Sequence, residues 1–239
     1  MNELSELLEV VAHGVTAILA TWLGLLVLTR ARRSAGAPAF SFLCFLLVTW
    51  CVAIIVQRIS TDPSVIPPIN LLEDAAAFLL PPATTHIAIS VAFEGRRSAL
   101  ANSLLAAGYT LGALAIVQAA LDPAHPIGFA EPYFAPLGIP GPVVAWSFAA
   151  ARLTVWFAGI AYLGAGLQQA GADRARRRQL TFAIATVALG IVGGMLRILP
   201  EDVGGPRWIG VSLVALAMVI ATYSVVAQHF FLAPDVAGR

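Results

Sequence analysis

Residues 8–33 read LEVVAHGVTAILATWLGLLVLTRARR, and this stretch decides the fold. From Leu8 to Thr29 it is an apolar run of about 20 residues. At roughly 1.5 Å rise per residue, a helix of that length crosses a hydrocarbon core about 30 Å thick. Acidic residues stand before the run and at its start (Glu3, Glu6, Glu9), and the basic Arg30-Ala31-Arg32-Arg33 follows it. A secretory signal has the opposite polarity, with positive charge before its apolar core, so the run reads as a retained membrane span.

Working outward, six more runs of the same kind follow. The seven spans are Leu8–Thr29, Phe40–Gln57, Ile69–Phe93, Leu100–Leu121, Val143–Leu167, Leu180–Leu199 and Trp208–Phe230. Composition agrees. The chain has 239 residues, 59% apolar and only 11% charged, whereas a soluble domain carries about 25% charged residues to hold its water. The apolar runs are continuous, not alternating, which selects helices over a barrel. The expected class is all-α: one seven-transmembrane-helix bundle over residues 1–239, multi-pass in a membrane.

Arginine fixes an orientation. All fourteen basic residues are arginine. They concentrate in alternate connections: Arg30, Arg32 and Arg33 in the first, Arg96 and Arg97 in the third, and Arg174, Arg176, Arg177 and Arg178 in the fifth. The connection 121–142 has none. Basic loops stay in the cytoplasm, so the N-terminus is expected outside and the C-terminus inside. The arginine-free connection, rich in proline and aromatics, reads as a stiff external segment lying on the bundle. The turn from Pro200 to Pro206 reads as a helix stop and tight reversal.

Several chemistries are excluded. Without lysine there is no retinal Schiff base. No HExxH, GxSxG, P-loop or cysteine–histidine cluster occurs, so neither enzyme activity, metal nor cofactor is implied, and nucleic acid is not an expected partner. Cys44 and Cys51 lie seven apart in one run, about 10 Å along a helix axis, too far to bridge. They read as packing residues. The small-residue stretches Gly159–Gly166 and Gly190–Gly194 permit close helix approach. No internal repeat of the transporter kind is present.

Titratable side chains at membrane depth are costly and mark cavities or partners. His13, Glu73, Asp74, Arg152 and Arg197 all fall in the outer half of their spans. The expectation is an outward-open polar cavity lined by Glu73 or Asp74, Arg152 and Arg197, with His13 at similar depth and Trp156 one turn below Arg152. The competing reading is a set of structural ion pairs near the interface. Pro81 and Pro82 should kink the third span and leave carbonyls free for other partners. His86, nearer the cytoplasm, reads as a hydrogen-bonded core histidine.

Three stretches together resemble the N-terminal seven-helix sensor region of bacterial histidine kinases. One is Phe78-Leu79-Leu80-Pro81-Pro82, leading through Thr85-His86-Ile87-Ala88 to Phe93-Glu94-Gly95-Arg96-Arg97. The second is Arg176-Arg177-Arg178-Gln179-Leu180 and the glycine-studded helix that ends at Leu199-Pro200. The third is Ala221-Thr222-Tyr223-Ser224-Val225-Val226 with His229-Phe230-Phe231. The resemblance implies a membrane sensor or signal-transducing module. It departs from the family pattern after the last span, where about eight residues carry no phosphoacceptor region and no ATP-binding domain. The expected partners are membrane lipid and a cytoplasmic or membrane protein. A second reading is an accessory subunit of a respiratory or photosynthetic complex.

Overall fold

The computed structural model describes residues 3–30, 36–94, 98–121, 141–198 and 207–227, and among them no strand occurs. Those residues form seven helices: α1 (Glu3–Arg30), α2 (Ala37–Ile59), α3 (Ile66–Ala92), α4 (Ala99–Leu121), α5 (Gly141–Gln169), α6 (Arg174–Ile198) and α7 (Arg207–Ala227). Each is long and apolar enough to cross a membrane.

The helices overrun the apolar runs. The sequence reading leaves Arg174–Arg178 in a connection, but these arginines form the first turn of α6. An apolar run stops at its first charge, whereas a helix stops where its backbone bonding ends. Arginine is a good helix former, and its stem can lie along apolar surface while the guanidinium reaches water. Glu3 and Arg30 extend α1 for the same reason. Prolines sit in the first turns of α2 and α3, where a missing N–H is tolerated. Between these helices, Asp62 accepts from the backbone N–H and the hydroxyl of Ser64 (2.9 and 2.8 Å), which holds its carboxyl below the ordinary 3.8. The connections 122–140 and 199–206 and the segment after residue 227 lie outside the described residues.

Contacts along the chain order the helices into a ring, α1–α2–α3–α5–α6–α7 and back to α1, with α4 outside, packed on α3 and α5. Helix α3 is the hub, touching α2, α4, α5 and α6. The starts of α1, α3, α5 and α7 share one end of the bundle with the ends of α2, α4 and α6; we call this the near end, and its opposite the far end. The core runs from Leu23 and Cys44 through Trp50, Ile54 and Ile87 to Leu163, Leu180, Val211 and Met218. Ile18, Phe45 and Leu114 point outward and are exposed, the arrangement lipid permits, since its tails are as apolar as leucine.

Close approach is built from small residues at particular crossings. Cys44 and Cys51 are buried free thiols, and a Cβ on Gly24 would lie 2.9 Å from the Cys44 Cβ. A Cβ on Gly166 would meet the Ala92 backbone at 3.1 Å, and one on Gly193 would lie 2.5 Å from the Gly210 carbonyl oxygen. Gly164 and Gly190, in the same two stretches, have nothing within 4 Å. The small-residue runs therefore work through individual positions.

Candidate functional site

The near end holds the titratable groups. On α1, Glu9 and His13 are buried and stand one turn apart, and the His13 Nδ1–H donates to the Glu9 carbonyl (2.7 Å). The His13 ring packs edge-on against Trp50 of α2, centroids 5.3 Å apart. The Glu9 carboxylate pairs with Arg58 at the end of α2 (3.0 Å). One residue earlier, Gln57 donates its amide to Glu73 (2.6 Å) and Asn70 (3.0 Å) on α3. Glu73 thus belongs to an α2–α3 polar group.

Arg152 has another task. Pro81 has no N–H for the carbonyl four residues before it, which is that of Ala77. Arg152 of α5 supplies the missing donor: its Nη2 donates to the Ala77 carbonyl (3.1 Å), and its guanidinium lies 5.1 Å from the Phe78 ring centroid. Helix α3 runs unbroken from Ile66 to Ala92 across both prolines. Asp74, one turn nearer the membrane surface, attracts the same guanidinium through its charge. Four residues below Arg152, Trp156 is buried, and its ring lies 3.3 Å from where a Cβ on Gly194 of α6 would stand. The Arg197 side chain lies outside the described residues. The space beside Arg152, bounded by Phe78, Pro81, Pro82 and Val155, is about 10 Å³, room for about one water.

Below this point α3 and α5 touch directly. The buried Thr85 hydroxyl donates to the Val155 carbonyl (2.5 Å), and Gly159 passes over Thr85 so closely that a Cβ would stand 3.1 Å from that hydroxyl. His86 turns to α4 and shares a hydrogen bond with the Tyr109 hydroxyl (3.2 Å).

At the far end, the last carbonyls of α3 have no intrahelical donor, as at any helix C-terminus. Arg176 of α6 serves them, donating to the carbonyls of Val91 and Ala92 and pairing with Glu94 (3.7 Å). Glu94 itself adopts φ 51°, a left-handed conformation that ends helices and that a side chain disfavours. Two residues on, Arg178 donates to the Tyr223 hydroxyl of α7 (3.3 Å) and lies 5.8 Å from the Phe182 ring centroid. Two arginines from neighbouring helices thus complete the α3 backbone, one at the carbonyl its proline leaves unbonded and one at its end.

Comparison with known proteins decides the family. The family described as the N-terminal 7TM region of histidine kinase matches residues 12–234, nearly the whole chain. The chain belongs to that family. No curated protein and no solved structure matches it. The resemblance read from the sequence holds, and this histidine-kinase 7TM region is a sensor module, the non-catalytic part of such a kinase. Its motif around Pro81-Pro82 is where Arg152 docks, and its Arg176 motif is the far-end contact.

Sequence reasoning missed three participants. Glu9 reads as one of a series of flanking acids, Arg58 falls just past the predicted end of its span, and Arg176 reads as a topology charge and part of a family motif. For Glu9 a signal was present: a glutamate and a histidine four apart on one helix face share a surface. For Arg176 there was none, because its acceptors are backbone carbonyls 84 and 85 residues away.

Proposed function

We propose that this histidine-kinase 7TM region receives a signal at the near end, facing outside a bacterial plasma membrane, and transmits it through α3 to a cytoplasmic kinase at the far end. The alternating arginine loops support the orientation. The observation that carries the reading is the doubly served backbone of α3: Arg152 holds it near the receiving groups, and Arg176 holds its end where the output must leave. A ligand shifts such an element only by binding its two arrangements unequally. The Gln57–Glu73–Asn70 group and the Asp74–Arg152 attraction give a polar ligand different partners as α3 moves against α2 and α5.

Two measurements test this. Native, untagged protein purified from its own membranes is expected to carry a histidine kinase or a response regulator. Recovery of respiratory or photosynthetic subunits instead would replace the reading with an accessory role. The variant Arg176→Gln should insert normally and shift the steady phosphorylation of the partner regulator by about fivefold, the lower end of ordinary allosteric coupling. Unchanged phosphorylation would remove Arg176 from the path.

A further inference from the structure

A second space inside the bundle lies away from the polar near end. It is a partly open cavity of about 60 Å³ in the far half, lined by residues of α2, α3, α5, α6 and α7. Ile87 and Val91 of α3, Leu163 of α5, Val187 of α6 and Val225 of α7 form its wall, and no charged side chain lines it. A water needs about 10–15 Å³ by the same measure, together with several polar partners. The cavity has the room for several waters and lacks the partners, so water does not suit it.

Helix α6 shows why the space is there. Leu180 is fully buried and Ile191 nearly so. Between them, every residue from Phe182 to Gly190 is half-exposed. A helix lying flat on a bundle buries a position every three or four residues. Over these nine residues, roughly 13 Å of helix, α6 is covered only in part, meeting the core through Ala183, Ile184 and Val187. It is anchored at one side of this stretch by Arg176 and Leu180, and at the other by the Gly193–Gly210 crossing.

One hydroxyl on a residue of the cavity wall is left without a role in the fold. Thr84 and Ser224, on the cavity wall, donate their hydroxyls to the carbonyls of Leu80 and Ile220 in their own helices. Thr16, Thr21, Thr181 and Thr222 elsewhere do the same. The Thr186 hydroxyl is buried at the cavity and has no hydrogen-bond partner among the described residues.

We propose that this cavity binds the aliphatic chain of a membrane-borne amphiphile, with one uncharged polar group, a hydroxyl or carbonyl, hydrogen-bonded to Thr186. An apolar-lined, uncharged space suits an aliphatic chain, and the absence of a lining cation or anion excludes a charged head. The site rests on the cavity alone and not on the signalling role, so the two fail separately. The chain's source is either a resident bilayer lipid or a free amphiphile such as a long-chain alcohol.

The test is photolabelling of the full chain in nanodiscs of phosphatidylethanolamine and phosphatidylglycerol. The two probes are a diazirine-bearing hexadecanol and a phosphatidylcholine with a diazirine in its acyl chain. Labelling of Ile87, Val187 or Ala221 that Ala183→Trp abolishes supports the site. Labelling by the alcohol, competed by plain hexadecanol, identifies a free amphiphile; labelling by the phospholipid identifies a lipid tail. Should Ala183→Trp fail to assemble, Val187→Phe fills the same space with less bulk. With the alcohol probe, Thr186→Val should lower labelling about fivefold, one lost hydrogen bond, while Thr186→Ser keeps it. Labelling confined to outward residues such as Phe157 and Val192, or cavity labelling equal in Thr186→Val and the parent, overturns the proposal.

Discussion

Replacing Gly193 by alanine is expected to destabilise the bundle by about 1–3 kcal/mol, the range for overpacking a close contact, and Gly193→Leu by more. The added Cβ would stand 2.5 Å from the Gly210 carbonyl oxygen, 2.9 Å from a Val214 methyl and 3.1 Å from the Val214 nitrogen. Two of those three atoms are backbone, so no side-chain rotation relieves the clash, and α6 and α7 must part. Helices in lipid associate through close packing of small residues, with no water to drive them together. Separation at this crossing therefore removes the main attraction between them. Gly190, three residues earlier on the same helix, is the control, with nothing within 4 Å of its added Cβ. Gly190→Ala should be neutral or stabilising by up to about 1 kcal/mol, from helix propensity alone. Unfolding by steric trapping in bicelles measures both. Equal effects at the two positions would contradict the crossing.

Arg58→Ala is the second large effect. It withdraws the guanidinium from a carboxylate that is only 2% exposed, while Arg58 itself is 26% exposed. Breaking a fully buried pair costs about 3–5 kcal/mol because a charge stays behind in a poor solvent. With a quarter of Arg58 reachable by water, a loss of at least about 2 kcal/mol is expected. Removing both charges, as Glu9→Gln with Arg58→Met, should recover most of it, since the desolvation of both ions disappears together. A double-mutant cycle on the same unfolding assay gives the coupling directly. If the double variant is no more stable than Arg58→Ala alone, the pair is not the source of the effect.

These cases show where the sequence was legible. Seven apolar runs forecast seven helices because lipid imposes the same length and composition on every span. The fate of the titratable groups was not legible in the same way. Depth along a span puts Glu73, Asp74, Arg152 and His13 at one level, but depth carries no azimuth. The ring order assigns His13 to Trp50, Glu73 to Gln57, and Arg152 to a backbone carbonyl. The freed carbonyls could be anticipated, since two prolines remove two donors at known positions. The identity of the donor could not, as it comes from 75 residues away. The far-half cavity left no trace in the sequence either. A space is what the surrounding residues fail to fill, and Ala183, Thr186 and Val187 are ordinary members of an apolar run.

The arginine that stands in for a proline's missing amide has a genetic meaning. Positions 81 and 152 form a unit of inheritance: the proline is tolerable because the arginine completes its helix, and the arginine is tolerable at that depth because the proline leaves it an acceptor. A change to alanine at 81 would restore the intrahelical bond and leave the cation only Asp74 and the Phe78 ring. Loss of the cation alone would strand the carbonyl. Relatives that have shed one of the two should have shed the other as well, whatever signal they answer to.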